Sequence, residues 1–270
     1  MKVYISIDLE GVCGVVADEQ VTAGNHEYNR ARALMTAEAN AAIEGALKAG
    51  AAEILVNDSH AGMRNVLIEE LRPEAQLITG APKPLSMMEG IDESFDAAVL
   101  IGYHAMAGTR GVLNHTYSGK AVRLLRINGR PMGETGLNAG IAGYFGVPVV
   151  MVSGDSSTAA QARELLGDIE TVAVKEEVGR YAARNLHPTR ARELIRDAVT
   201  RGLKRVREIE PFAVDAPVTF ELTFAGTAMA DAAELIPGVA RMDELTVAYA
   251  SDDYIISFKA MRAMIALALS

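Results

Sequence analysis

Two periods of apolar spacing take turns along this chain. Residues 3–7 form a short apolar run rich in β-branched side chains that stops at Asp8, as a buried strand does. Residues 30–49 carry Met35, Ala39, Ala42, Ile43, Ala46 and Leu47 at helical spacing, and Gly50 follows as a stop. Residues 54–56, 97–101 and 147–152 repeat the strand pattern. Between the last two, residues 122–127 end at Asn128-Gly129, a tight-turn dipeptide, and residues 134–145 read as a helix closed by Gly146. Strands alternating with helices imply a mostly parallel sheet covered on both faces. After about residue 180 the texture changes. A charged amphipathic helix over 189–206 precedes strands over 218–224 and 244–249 and a closing helix over 253–269. The expected fold is therefore α/β: a mostly parallel sheet flanked by helices over residues 1–180, with a smaller α+β portion over 181–270. The boundary falls somewhere within 160–185.

Composition narrows the function classes. With 270 residues, 50% apolar and 23% charged, the chain resembles ordinary globular proteins and not a disordered segment. A net charge of -9 argues against nucleic acid or an anionic membrane as partner, since both recruit Lys and Arg. One cysteine excludes an internal disulfide framework. The first apolar run is too short for a signal peptide, and no run approaches the roughly 18 residues of a membrane span. The expectation is a cytoplasmic protein.

The chemistry gathers where strands stop. The first strand runs into Asp8-Leu9-Glu10-Gly11, the second into Asn57-Asp58-Ser59-His60, and the third into Gly102-Tyr103-His104. In an open parallel sheet these carboxyl ends share one edge, the edge where ligands bind. Carboxylates with imidazoles suit zinc, manganese, iron or cobalt better than magnesium or calcium. Acids crowded in one crevice repel unless a cation or proton sits among them, and a metal pair bridged by a carboxylate is one answer. Ordinary roles stand beside these: Asp8 as a turn cap, Glu10 as a loop residue, Asp58 as a cap or a support for His60, and the histidines as loop residues. His115 follows the third strand closely enough to return to the crevice as a proton-transfer group, or it is an exposed loop residue. Glu134 begins a helix, where capping alone would explain it. Asp155 reads as an N-cap, Cys13 as buried and inert, Lys175-Glu176 as a surface pair, and His26 and His187 as surface residues. The phosphate-binding glycine loops, the Gly-x-Ser-x-Gly elbow and the His-Glu-x-x-His helix motif are all absent.

The ordered set Asp8-Leu9-Glu10-Gly11, Val56-Asn57-Asp58-Ser59-His60, Gly102-Tyr103-His104, Asn114-His115 and Pro131-Met132-Gly133-Glu134 resembles the bacterial zinc-dependent D-aminopeptidases associated with dipeptide-transport operons. Lys83-Pro84, Met88-Glu89-Gly90 and Met151-Val152-Ser153-Gly154-Asp155 extend the likeness, which is densest in residues 1–155. The resemblance implies two zinc ions per chain, held by Asp8, Glu10, His60, His104 and Glu134 with Asp8 bridging, and His115 as the catalytic histidine. It also implies a peptide substrate with an N-terminal D-residue, such as a D-alanyl peptide, and a homodecamer of two stacked pentameric rings. Two other readings stand beside it: another two-metal hydrolase acting on phosphoesters or non-peptide amides, and a non-catalytic metal- or peptide-binding module.

Overall fold

The computed structural model describes residues 1–270. Strand β1 (Lys2–Ile7) leads through the short helix α1 (Asp18–Val21) and the long α2 (Tyr28–Lys48) to β2 (Glu53–Asp58), β3 (Gln76–Ile78) and β4 (Ala97–Tyr103). The hairpin β5 (Val122–Ile127) and β6 (Arg130–Pro131) precedes α3 (Glu134–Tyr144), β7 (Val149–Asp155) and α4 (Ser156–Leu166). Then come β8 (Glu170–Gly179), β9 (Ala182–Asn185) and α5 (Pro188–Lys204). The chain closes with β10 (Val218–Phe224), α6 (Thr227–Glu234), β11 (Ala240–Arg241), β12 (Thr246–Ser251) and α7 (Tyr254–Ala268).

Seven strands form the first sheet in the order β3-β2-β1-β4-β7-β8-β9, parallel except for β9. Alternation along β1 sets its two faces. Val3, Ile5 and Ile7 join a core with α2 and α5, while Tyr4 on the opposite face joins a core shared with α3, α7 and the second sheet. The five-stranded second sheet runs in the order β11-β12-β10-β5-β6 and is antiparallel. On β10, Val218, Phe220, Leu222 and Phe224 are buried and the residues between them are not, the period-2 signature of a half-covered sheet. The mixed architecture agrees with the expected mostly parallel sheet flanked by helices.

The sheets are not consecutive stretches of sequence. β5 and β6 are lent to the second sheet from the middle of the chain, and α5 returns to pack on α2. Cys13 is buried, as expected, with its Sγ on the Leu186 carbonyl. No helix is long and apolar enough to cross a membrane.

Candidate metal centre

The parallel register sets Ile7 beside both Asp58 and Ile101, so the ends of β1, β2 and β4 lie level. Asp8, His60 and His104 therefore leave the sheet together. Two glycines let these exits approach backbone to backbone. Gly11 N donates to Gly102 O at 2.8 Å. A Cβ at Gly11 would stand 1.8 Å from Tyr103 O, and one at Gly102 2.3 Å from Asp8 O. Only glycine fits such contacts.

The loops behind the cluster are pinned. Asp58 accepts from the backbone of Asn65 and Val66 and from the Asn65 side chain, closing the loop that carries His60. It does not bond His60, so of its expected roles it plays the cap. Lys175 corrects the sequence reading. It is not a surface residue but is fully buried, and its Nζ donates to the carbonyls of Glu10, Val12 and Val15 at 2.5, 3.0 and 2.6 Å. Three ammonium donors thus meet three acceptors. The cause is a bulge on β8: Gly154 pairs with Ala173 but Asp155 with Lys175, so Val174 is the extra residue and Lys175 turns inward. Glu176 stays at the surface with Arg184. Asp155 caps α4 at Thr158 N, as expected, and its other oxygen accepts from Val112 N.

All the expected site residues converge. Asp8 stands between two groups and turns one oxygen to each: Oδ1 lies 3.5 Å from His60 Nδ1 and Oδ2 3.4 Å from His104 Nε2. His60 Nδ1 also meets Glu10 Oε2 at 2.9 Å, and His104 Nε2 meets Glu134 Oε1 at 3.4 Å. Glu134 is the first residue of α3, but its side chain does not cap that helix; Oε1 accepts from Tyr117 N at 2.7 Å. The His115 ring stacks on that of His104, centres 4.1 Å apart, with Nε2 3.9 Å from Glu134 Oε1.

The three imidazoles share one arrangement. His60 Nε2 lies 2.7 Å from Val21 O, His104 Nδ1 3.1 Å from Ala105 O and His115 Nδ1 2.8 Å from Leu113 O. A carbonyl only accepts, so each of these nitrogens donates. In the neutral tautomer the other nitrogen carries a lone pair, and for His60 and His104 that lone pair faces two carboxylates. Such a contact is repulsive unless a proton or a cation lies between. Without a metal the protons stay. Burial opposes the charge on His104, but Glu134 and Asp8 outweigh it and raise its pKa to about 10. Burial and then Glu10 push Asp8 up to about 8. His104 Nε2 and Asp8 Oδ2 are buried without a hydrogen-bond partner. Imidazoles fixed by backbone carbonyls, each with its second nitrogen turned to carboxylates, and the unpartnered Asp8 Oδ2 fit a transition-metal ion once the protons leave.

His115 differs from its neighbours. Burial first, and the stacked His104 second, hold its pKa below the ordinary value. It is neutral at pH 7 with Nε2 open to accept a proton.

A cavity of about 160 Å³ opens beside the cluster, and its lining also includes Ser86, Tyr117 and Arg262. Sequence reading passed over all three. Ser86 opens a single 3-10 turn (Ser86–Met88), Tyr117 sits in a loop, and Arg262 lies on a helix whose pattern only announces a core face. One signal was present: Arg262 is a lone charge within the otherwise apolar stretch from Met261 to Leu269.

A D-aminopeptidase family profile matches residues 1–263. The chain belongs to the D-aminopeptidase family. It is 41% identical to a D-aminopeptidase of Bacillus subtilis (strain 168) over 270 residues, covering 100% of this chain and 98% of that protein. Among solved structures it is similar to a Zn-dependent D-aminopeptidase, DppA from Bacillus subtilis, described as a self-compartmentalizing protease. The TM-score is 0.97 at 40% identity, over 100% of this chain and 98% of that one. The likeness of this family member to its relatives spans both sheets, so it includes every strand and helix that delivers a residue to the cluster.

Proposed function

We propose that this member of the D-aminopeptidase family is a di-zinc enzyme that hydrolyses short peptides with an N-terminal D-residue, such as D-alanyl peptides. The carrying observation is Asp8, which divides its two oxygens between His60 Nδ1 and His104 Nε2. One half-site then comprises Asp8, Glu10 and His60, and the other Asp8, His104 and Glu134. Zinc bound there would supply Lewis-acid polarisation of the scissile carbonyl and a lowered pKa for the attacking water. The Tyr117 backbone N–H holds the Glu134 carboxylate in place. His115 is the proton carrier. Its Nδ1–H stays on Leu113 O, and its Nε2 takes a proton from the attacking water and returns it to the leaving amine as the C–N bond breaks. The zinc dependence of the DppA relative supports the choice of metal.

The assembly we propose is a homodecamer of two stacked rings. The self-compartmentalizing character of that relative supports an enclosed oligomer. Leu235 and Met242, in the portion after residue 181, expose 78% and 61% of their surface and suit subunit contacts. Light scattering at micromolar concentration should report a ring-sized particle; a monomer would contradict it.

The decisive assay presents the zinc-loaded protein with matched D-alanyl and L-alanyl peptides and with p-nitrophenyl phosphate. Hydrolysis of the D-alanyl peptide well above the other two supports the reading. Preference for the phosphoester, or tight peptide binding with no turnover, overturns it.

A further inference from the structure

The lining of the cavity also carries a charge opposite to that of the carboxylates. Arg262 of α7 reaches it from the C-terminal portion. Its Nη1 donates to Ser86 Oγ at 2.7 Å, and its guanidinium carbon lies 4.9 Å from the centre of the Tyr117 ring. Unlike Arg201, Arg205 and Arg241, it forms no ion pair with any carboxylate. A guanidinium offers five N–H donors in a fixed fork, and only one of these is engaged by Ser86. Beside it the Tyr117 hydroxyl is buried, makes no well-formed hydrogen bond, and has Ser86 and Arg262 as its polar neighbours. A cation without a counter-charge and a phenol hydroxyl therefore line one small space.

The backbone around this space is strained. Ser86 and Tyr117 have φ of 53° and 58°, and Ala61 and Met63, also on the cavity wall, have 47° and 54°. Side chains rarely adopt this left-handed region, and such strain gathers at ligand sites. Tyr117 joins the two ends of the cavity, since its ring carries Arg262 and its backbone N–H holds Glu134. At about 160 Å³ the cavity lies below the roughly 300–1,000 Å³ of drug-sized sites, so it suits a small ligand.

We propose that Arg262, flanked by Ser86 and Tyr117, receives the C-terminal carboxylate of the substrate and selects dipeptide-sized peptides with a free carboxyl end. This rests on the peptidase reading above and names its substrate more closely. A planar guanidinium fork matches a carboxylate with two parallel hydrogen bonds, and the Tyr117 hydroxyl supplies a further donor.

The test uses the zinc-loaded full chain with a D-alanyl dipeptide and the same dipeptide as its C-terminal amide. kcat and KM are measured for wild type, Arg262→Lys and Arg262→Met. Wild type should favour the acid by about 10- to 100-fold in kcat/KM, as a charge-assisted contact does. In Arg262→Met the acid-to-amide ratio should fall to near one through KM, and Arg262→Lys should keep part of it. Zinc content should match wild type in both variants. Equal use of acid and amide by wild type overturns the proposal, whether or not the variants fold. So does a ratio that survives in Arg262→Met. No turnover of either peptide would contradict the peptidase reading instead. Calorimetric binding of the two peptides then still decides the subsite, and an acid that binds no tighter than its amide overturns it.

Discussion

Asp8, Glu10, His60 and His104 leave neighbouring strands of one sheet, whereas Ser86, Tyr117 and Arg262 reach the cavity beside them from a 3-10 turn, a loop and a helix of the C-terminal portion. The first wall is buried, glycine-tight in its backbone and pinned from behind by Lys175 and Asp58. The second is built on left-handed residues and a cation without a counter-charge. A metal centre needs donors fixed to fractions of an ångström, and a sheet edge provides that. Recognition of one substrate among many is commonly assigned to loops on such a scaffold. Under the function and subsite proposed above, the reaction belongs to the first wall and the choice of peptide to the second.

Asp8→Ala should break the first wall most completely, because it removes a donor from both half-sites. Zinc measured by atomic absorption should be largely lost. Activity should fall by more than the roughly 10–100-fold typical of changes outside the ligand shell. Retention of full zinc and activity would show that the sheet edge is not the metal wall.

His115→Ala separates metal holding from proton transfer at the seam between the walls. It should keep the zinc and the melting temperature and lose about 10²–10⁴-fold in kcat, the usual range for a general acid–base group. Loss of zinc would instead make His115 a ligand.

Lys175→Met probes the support behind the first wall. It leaves the carbonyls of Glu10, Val12 and Val15 without their buried donor. At about 1–3 kcal/mol for an unsatisfied buried group, urea unfolding should show a loss of at least about 2 kcal/mol. Zinc affinity should fall roughly 10–100-fold as the Glu10 loop loosens. A change in stability with unaltered affinity would mean that the bonds serve the fold alone.

The smallest effect concerns Glu38, buried on α2, whose Oε1 accepts from Cys13 N in that same loop. Burial raises its pKa from 4.5 to about 7. An acid whose folded pKa is raised contributes stability below about pH 4.5 that is lost as pH rises through about 7, at most about 3 kcal/mol by proton linkage. Glu38→Gln keeps an acceptor and removes the titration, so its unfolding free energy should vary less between pH 5 and 8 than that of wild type. Parallel pH profiles would contradict this.

These walls also differ in how much of them the sequence makes legible. The strand ends were readable because β1, β2 and β4 are apolar runs that stop at Asp8, Asp58 and Tyr103, and a parallel sheet aligns such stops. Spacing alone could not bring Glu134 to that edge. It lies after the β5–β6 hairpin, which belongs to the other sheet, and it is held beside His104 by the bond from Tyr117 N. Lys175 was hidden by a bulge that breaks the alternation of β8, which no single-strand pattern encodes. Short elements such as β3 and β11 were invisible because two or three residues carry no period. Arg262 was hidden for a further reason: helical periodicity shows which residues face a core, not which cavity a charge enters.

The central claim is that the first wall holds zinc and holds it in two places. Crystals of the zinc-loaded protein, measured on both sides of the zinc absorption edge, test it most directly. The account predicts two anomalous peaks per chain, one within coordination distance of Asp8, Glu10 and His60 and the other of Asp8, His104 and Glu134. Zinc-replete crystals with no anomalous peak at Asp8 would contradict it.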